Sequence, residues 1–267
     1  MLTQHEAPDI ETSSEEYARR FAGPVGAYFL RVQEELCLEL LRPWAGCRVL
    51  DVGGGHAQIA IPLTEAGYDV TVLGSSASCN ERLSLIARER SLNIPFFVGD
   101  LLNLPFPAQS FDVVVSLRLI SHVTPWKRLL HELMRVARDA VLIDYPSLFS
   151  FNLAVPFLFR LKKMVERNTR PFLCFTRQQI SGAFRENGFE ISETRPEFFI
   201  PMALHRALRR PDFTERSERL IAKVGATRVF GSPILALAER LTRYGSPRAV
   251  PTPHPPNPDP KTLTPNP

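Results

Sequence analysis

The sequence predicts an α/β fold, a doubly wound and mostly parallel sheet with helices on both faces. Three observations lead there. From Cys47 to Tyr145, short apolar runs rich in β-branched residues alternate with stretches of helical periodicity. Those runs show little polar alternation, as expected of strands covered on both sides. The first run, in CRVLDVGG, feeds directly into glycines with a helix just beyond, the strand–turn–helix unit from which such sheets are wound.

The elements follow in order. Ser13 or Ser14 caps a helix through EEYARRF, and Gly23-Pro24 interrupts it. YFLRVQEELCLELLRP repeats apolar residues every three or four positions, an amphipathic helix stopped by Pro43. CRVLDVGG is the first strand, AQIAIPLTEAG a helix closed by Gly67, and DVTVLG the second strand. CNERLSLIARERSL is a helix, IPFFVGD the third strand and FDVVVSLRL the fourth. WKRLLHELMRVAR is a helix with a basic last turn, which complements its dipole, and DAVLIDYP is the fifth strand. FTRQQISGAFRENGF is a capped helix ending at Gly188, FEISETRPEFFI a sixth strand, 201–228 mostly helical, and GSPILALAER a seventh strand. The organisation expected is an N-terminal helical cap over 1–44, one domain over 45–245 with additions at 146–170 and 201–230, and a tail over 246–267. That tail holds nine of the 24 prolines, a composition that excludes helix or central strand and reads as disordered.

Composition narrows the function. The chain has 267 residues, 44% hydrophobic and 22% charged, as ordinary globular proteins have. No apolar run reaches the roughly 20 residues of a membrane span, and the acidic N-terminus is no secretory leader. Cys37, Cys47, Cys79 and Cys174 are far apart without a CxxC pair, so neither a disulfide framework nor a cysteine zinc site is expected, and a cytoplasmic location fits. No His/Cys/Asp cluster has metal-ligand spacing, so no metal is expected. The net charge of +4 hides a split: residues 1–150 carry 13 Lys and Arg against 18 Asp and Glu, and 151–250 carry 18 against 9. Arg206, Arg209 and Arg210 lack the aromatic interleaving of a nucleic-acid surface, so no nucleic acid is expected.

The sharpest feature is Val49-Leu50-Asp51-Val52-Gly53-Gly54-Gly55-His56-Ala57. Glycines let the backbone approach a ligand, and the helix that follows presents free amides. Asp51 adds negative charge, awkward for a pyrophosphate and suited to an ammonium or sulfonium group. Gln58 stands where a dinucleotide fingerprint has its third glycine, and no GKS or GKT follows, so a P-loop is excluded and a nicotinamide-dependent oxidoreductase is a weak rival.

This loop resembles the D-x-G-x-G-x-G motif of class I S-adenosylmethionine (SAM) dependent methyltransferases, with Ala57 in place of the last glycine. VGDLLNLPFPAQSFDVVVSLRLISHVTPWKRLLHELMRVAR and FTRQQISGAFRENGFEI resemble later parts of the same family, and the likeness spans roughly residues 45–200. It implies a Rossmann-like seven-stranded sheet, SAM as cofactor, and transfer of a methyl group to a small-molecule acceptor, quinone-like or a natural product. By the same likeness, Asp51, Gly53, Gly54 and Gly55 face the methionyl part, Gly74 and Ser75 the ribose, Asp100 and Leu101 the adenine, and Ser116 and Leu117 line the cofactor. Tyr17, Arg20 and Phe21, in YARRFAGPVGAYF, are candidates to cover it. One departure stands out. The family usually ends its second strand with an acid that grips both ribose hydroxyls, and here VTVLGSS puts Gly74 there, with neutral Ser75 and Ser76 beside it. A non-catalytic binding or scaffold protein on the same fold is therefore the second reading.

Methyl transfer needs alignment above all, with a base where the nucleophile is a hydroxyl or carbon acid. His122 and Tyr145 are the candidate catalytic residues, with His56 and Asp144 as further groups at strand ends. The apolar, then basic stretch LFSFNLAVPFLFRLKKMVER suggests a lid over a hydrophobic acceptor and peripheral membrane contact through 148–163.

Overall fold

The computed structural model describes residues 7–19, 21–54, 57–150, 172–208 and 211–241. The strands are β1 (Arg48–Val52), β2 (Asp69–Gly74), β3 (Phe96–Val98), β4 (Phe111–Ser116), β5 (Ala137–Tyr145), β6 (Phe189–Pro196) and β7 (Ile234–Arg240). They form one seven-stranded sheet in the order β3-β2-β1-β4-β5-β7-β6. β1 to β5 pair in parallel, and β7 runs antiparallel between β5 and β6. The order reverses between β1 and β4, so a crevice opens beyond their carboxyl ends, where ligands of doubly wound sheets bind.

Ten α-helices surround the sheet among the described residues: α1 (Asp9–Thr12), α2 (Glu15–Arg19), α3 (Gly23–Leu41), α4 (Ala60–Glu65), α5 (Asn80–Glu89), α6 (Trp126–Val136), α7 (Arg177–Arg185), α8 (Met202–Leu208), α9 (Pro211–Lys223) and α10 (Ala226–Phe230). Local signals set their ends. The Ser14 hydroxyl accepts from the Tyr17 amide at 3.2 Å and starts α2, while Thr176 and Gln179 form a reciprocal capping box on α7. The basic end of WKRLLHELMRVAR splits differently from expectation. The helix stops at Val136, and Ala137 and Arg138 open β5, because Ala137 pairs with Phe111 across the sheet.

Two apolar layers sandwich the sheet. Leu50, Val52, Val114, Val141 and Ile143 pack towards Leu129, Leu133 and Phe184 on one face. Val49, Val70, Val72, Val113, Val115 and Leu142 pack towards Cys37, Leu41 and Leu63 on the other. Successive residues of each strand supply opposite layers, as pleating requires. A third cluster of Phe21, Tyr28, Phe29 and Phe198 fastens the N-terminal helices to the segment after β6. His205 stands edge-on to Phe29 at 5.3 Å, and its Nε2 meets Glu218 Oε1 at 3.1 Å. Glu218 also accepts from the amides of Phe199 and Ile200, at 3.0 and 2.8 Å, which fixes the loop that follows β6 over the carboxyl ends of the strands. Residues 151–171 and the proline-rich tail over 246–267 lie outside the described residues, and with them most of the lid and of the membrane-contact segment 148–163.

Candidate active site

β1 delivers Asp51 to the floor of the crevice, where it is buried at 1% exposure. The turn that follows is built around its carboxylate. Gly53 adopts φ +79° and its amide donates to the Leu73 carbonyl at 2.8 Å. A Cβ on Gly54 would stand 1.9 Å from Asp51 Oδ2, so any larger residue there displaces the Asp51 carboxylate. Ala57 also lies in the left-handed region, at φ +64°, so it adopts the backbone of the glycine it replaces and stores strain of about 1–2 kcal/mol. Gly55 and His56 lie outside the described residues.

Asp51 is placed at a cost. Burial pushes its carboxyl up to about 7. Its Oδ2 has no hydrogen-bond partner among the described residues. Arg118, on the same cleft, carries a buried Nη1 in the same condition, and it too has a left-handed backbone at φ +57°. An unmade buried hydrogen bond costs about 1–3 kcal/mol, so an orphaned acceptor and an orphaned donor on one cleft suit a ligand bearing an ammonium and a carboxylate.

The other residues singled out from the sequence distribute unevenly. Leu117 lines this cleft together with Tyr17, Gln58 and Ile59. Ser116 is buried and its hydroxyl donates to the Val52 carbonyl at 3.0 Å, which ties β4 to β1. Asp100 accepts from the Leu102 amide at 2.8 Å with one oxygen. Leu101 is 1% exposed and belongs to the apolar core. Gly74 has no room for a side chain: a Cβ there would stand 2.8 Å from both Cys79 Cβ and Phe96 Cζ. The Ser75 amide and hydroxyl each donate to the Asp9 carboxylate of α1, both at 2.6 Å. Asp9 was not apparent in the sequence, because no local pattern links an N-terminal acid to a strand end 66 residues away.

Tyr17 and Arg118 also border a second space, a cavity of about 430 Å³. Phe21, Phe172, Phe199 and Met202 give it apolar walls, and Asp144, Glu197, His122 and Arg206 add polar groups. The Arg118 guanidinium lies 4.1 Å above the Phe21 ring, a cation–π contact that fixes the boundary between the two spaces. The His122 ring lies 5.7 Å from that of Phe172. Tyr145 is fully buried on the opposite face of β5 from Asp144, in the core beside Phe175. Burial pushes its hydroxyl up to about 12, and it does not line the cavity. Arg20 and Arg209 and Arg210 lie outside the described residues.

A pair of buried acids sits at the inner wall. Asp144 Oδ1 accepts from the Arg118 amide at 2.5 Å, and Gln33 Nε2 donates to Glu197 Oε1 at 2.7 Å and approaches Asp144 Oδ2 at 3.3 Å. Burial, and then the neighbouring Asp144 charge, push Glu197 up to about 8. Burial raises Asp144 as well, against the opposing pull of its bonds to Arg118. Glu197 escaped the sequence reading, although an acid set between Pro196 and Phe198-Phe199 at a strand end was a visible signal. No cluster of three His, Cys, Asp or Glu able to hold a metal occurs among the described residues.

Comparison with known proteins follows the same lines. A methyltransferase-domain family model matches residues 49–140. A demethylmenaquinone methyltransferase of Geobacillus kaustophilus is 26% identical over 236 residues, 75% of this chain and all of that one. A demethylmenaquinone methyltransferase of Renibacterium salmoninarum is 34% identical over 93 residues, so this chain spans 38% of its length. Magnesium protoporphyrin IX methyltransferase from Synechocystis PCC 6803, solved with bound S-adenosylhomocysteine (SAH), superposes with a TM-score of 0.60 at 18% identity, covering 87% of this chain and 98% of that one. The superposition shows the fold.

Proposed function

We propose that this chain, a member of the class I SAM-dependent methyltransferases, transfers a methyl group from SAM to a small lipophilic acceptor carrying a weakly acidic hydroxyl. The observation that carries the reading is the glycine turn around Asp51, whose carboxylate oxygen, without a partner among the described residues, lies at a small cleft that shares Tyr17 and Arg118 with the 430 Å³ cavity. Bound there, SAM supplies a methyl group already activated on a sulfonium sulfur. The protein's work is then alignment, exclusion of water and management of one proton.

Asp51 receives the ammonium end of the cofactor and Arg118 its carboxylate, as their unpaired atoms favour. Arg118 and Tyr17, common to both spaces, set where donor and acceptor meet. The aromatic walls hold a flat apolar ring. Glu197, pushed up to about 8, is poised to take the hydroxyl proton of a phenol or hydroquinone, because a base works best near the operating pH. His122 stands on the same cavity and is a second candidate for that role. The names of two relatives that act on demethylmenaquinone support a quinone-like acceptor. No helix of the described residues is long and apolar enough to cross a membrane. A cytoplasmic location, peripheral membrane contact through 148–163 and the absence of a nucleic-acid partner remain part of this proposal.

Titration calorimetry with SAM and SAH tests it. Binding in the micromolar range is expected, and folded protein that ignores both at millimolar concentration would sink the reading. NADH should leave the ultraviolet difference spectrum flat.

A further inference from the structure

A nucleoside cofactor has to be held by its ribose, and the end of β2 has no side chain to do so, because nothing larger than hydrogen fits on Gly74. The chain nevertheless brings a carboxylate to that place. Asp9 is fully buried, and aspartate is almost never buried without a partner or a purpose. Its Oδ1 accepts from the Ser75 hydroxyl and its Oδ2 from the Ser75 amide, both at 2.6 Å, with Cys79 Sγ at 3.5 Å. Its Cβ lies 3.6 Å from the point where a Cβ on Gly53 would stand. The carboxylate therefore sits across the paired ends of β1 and β2, beside the glycine turn. A ribose presents two hydroxyl donors on adjacent carbons, and a carboxylate takes two donors, one on each oxygen. Ser75 already offers Asp9 that pattern.

We propose that Asp9, carried in on α1, is the carboxylate that holds the ribose hydroxyls of the cofactor, in place of the side chain that Gly74 cannot carry. This inference rests on the SAM reading above. The cleft at Asp51, Gly53 and Gly54 measures about 30 Å³, far below the roughly 300 Å³ or more of a small-molecule site. Thr12 of the same short helix lines that cleft, so entry of the cofactor requires α1 to shift, and Asp9 then exchanges its Ser75 donors for the ribose pair.

The test is calorimetry with SAH and with its 3′-deoxyribose analogue. The wild-type protein is expected to prefer SAH by about 10-fold or more, the worth of a hydrogen bond to a charged group. Asp9→Asn should lose about 10-fold for SAH and far less for the analogue, so the preference collapses. Asp9→Glu, which keeps the charge, should retain part of it. An equal loss for both ligands would show a merely structural Asp9 and overturn the proposal. A gain for both would show that α1 only obstructs the cleft, and would overturn it as well. If Asp9→Asn does not fold, Asp9→Glu carries the test: it must lower the preference without abolishing it, and a preference unchanged from wild type counts against the proposal. Folded wild-type protein that binds neither ligand overturns the SAM reading and this inference together.

Discussion

The two spaces that meet at Tyr17 and Arg118 are built by different means. On the cofactor side, backbone does most of the shaping. Gly53, Gly54 and Ala57 bend the chain around one buried acid, and the neighbouring hydroxyl of Ser116 is tied to the strand below. On the acceptor side, side chains do it. Phe21, Phe172 and Phe199 form the walls, and Gln33, reaching in from α3, joins Asp144 and Glu197. A backbone-built site recurs as a short pattern in sequence. A side-chain-built site drawn from α3, β5 and the segment after β6 does not.

That contrast can be broken by substitutions on each side. The largest effect is expected from Asp51→Ala, which should weaken SAH binding by about 100-fold or more in calorimetry, since it removes a buried charged partner. His122→Ala, on the other wall, should leave SAH affinity within about twofold. Comparable losses from both would mean that the two spaces are one site.

Next in size is the pH response of the acceptor side. Methyl transfer should rise as pH passes through about 8, where Glu197 ionises, and Glu197→Gln should lower the rate about 10-fold or more and flatten the rise. Stability should move the other way. Asp51 and Glu197 have folded values of about 7 and 8, above their ordinary 3.8 and 4.5, so the folded chain holds protons that the unfolded chain has released. Their contribution is fully present below about pH 4 and is lost as pH rises through 7 to 8. The thermal midpoint should therefore fall by roughly 5 °C or more between pH 5 and pH 9, and Glu197→Gln should remove part of that fall.

Two smaller effects sharpen the backbone side. Gly74→Asp restores an acid to the end of β2, yet it should destabilise the protein by about 1–3 kcal/mol in urea titration, because the new Cβ meets Cys79 and Phe96 at 2.8 Å. Ala57→Gly should stabilise it by about 0.5–1 kcal/mol, because glycine adopts φ +64° without penalty.

How much of this was legible follows from the same division. β1, β2, β4 and β5 could be read because buried parallel strands leave continuous apolar runs, whereas β6, FEISETRP, is a partly buried antiparallel strand without such a run. The Asp51 turn could be read because three consecutive glycines follow a strand-end aspartate, and at Gly54 a side chain would displace the Asp51 carboxylate. Gly74 stood out as a missing acid, but its cause is the packing of Cys79 and Phe96, which no local pattern reveals. Asp9 meets Ser75 across 66 positions of chain and Gln33 meets Glu197 across 164, tertiary contacts that no local pattern reveals. Tyr145 and Asp144 are adjacent in sequence, and pleating alone sends one to the core and the other to the cavity.

The central claim is methyl transfer at the junction of these two spaces. Its most direct test is incubation of the protein with methyl-labelled SAM and a lipid-soluble metabolite extract, followed by mass spectrometry. The account predicts one labelled aromatic or quinone-like product that Asp51→Ala abolishes. Label that persists in the Asp51→Ala protein, or no labelled product from wild-type protein that binds SAM, would contradict it.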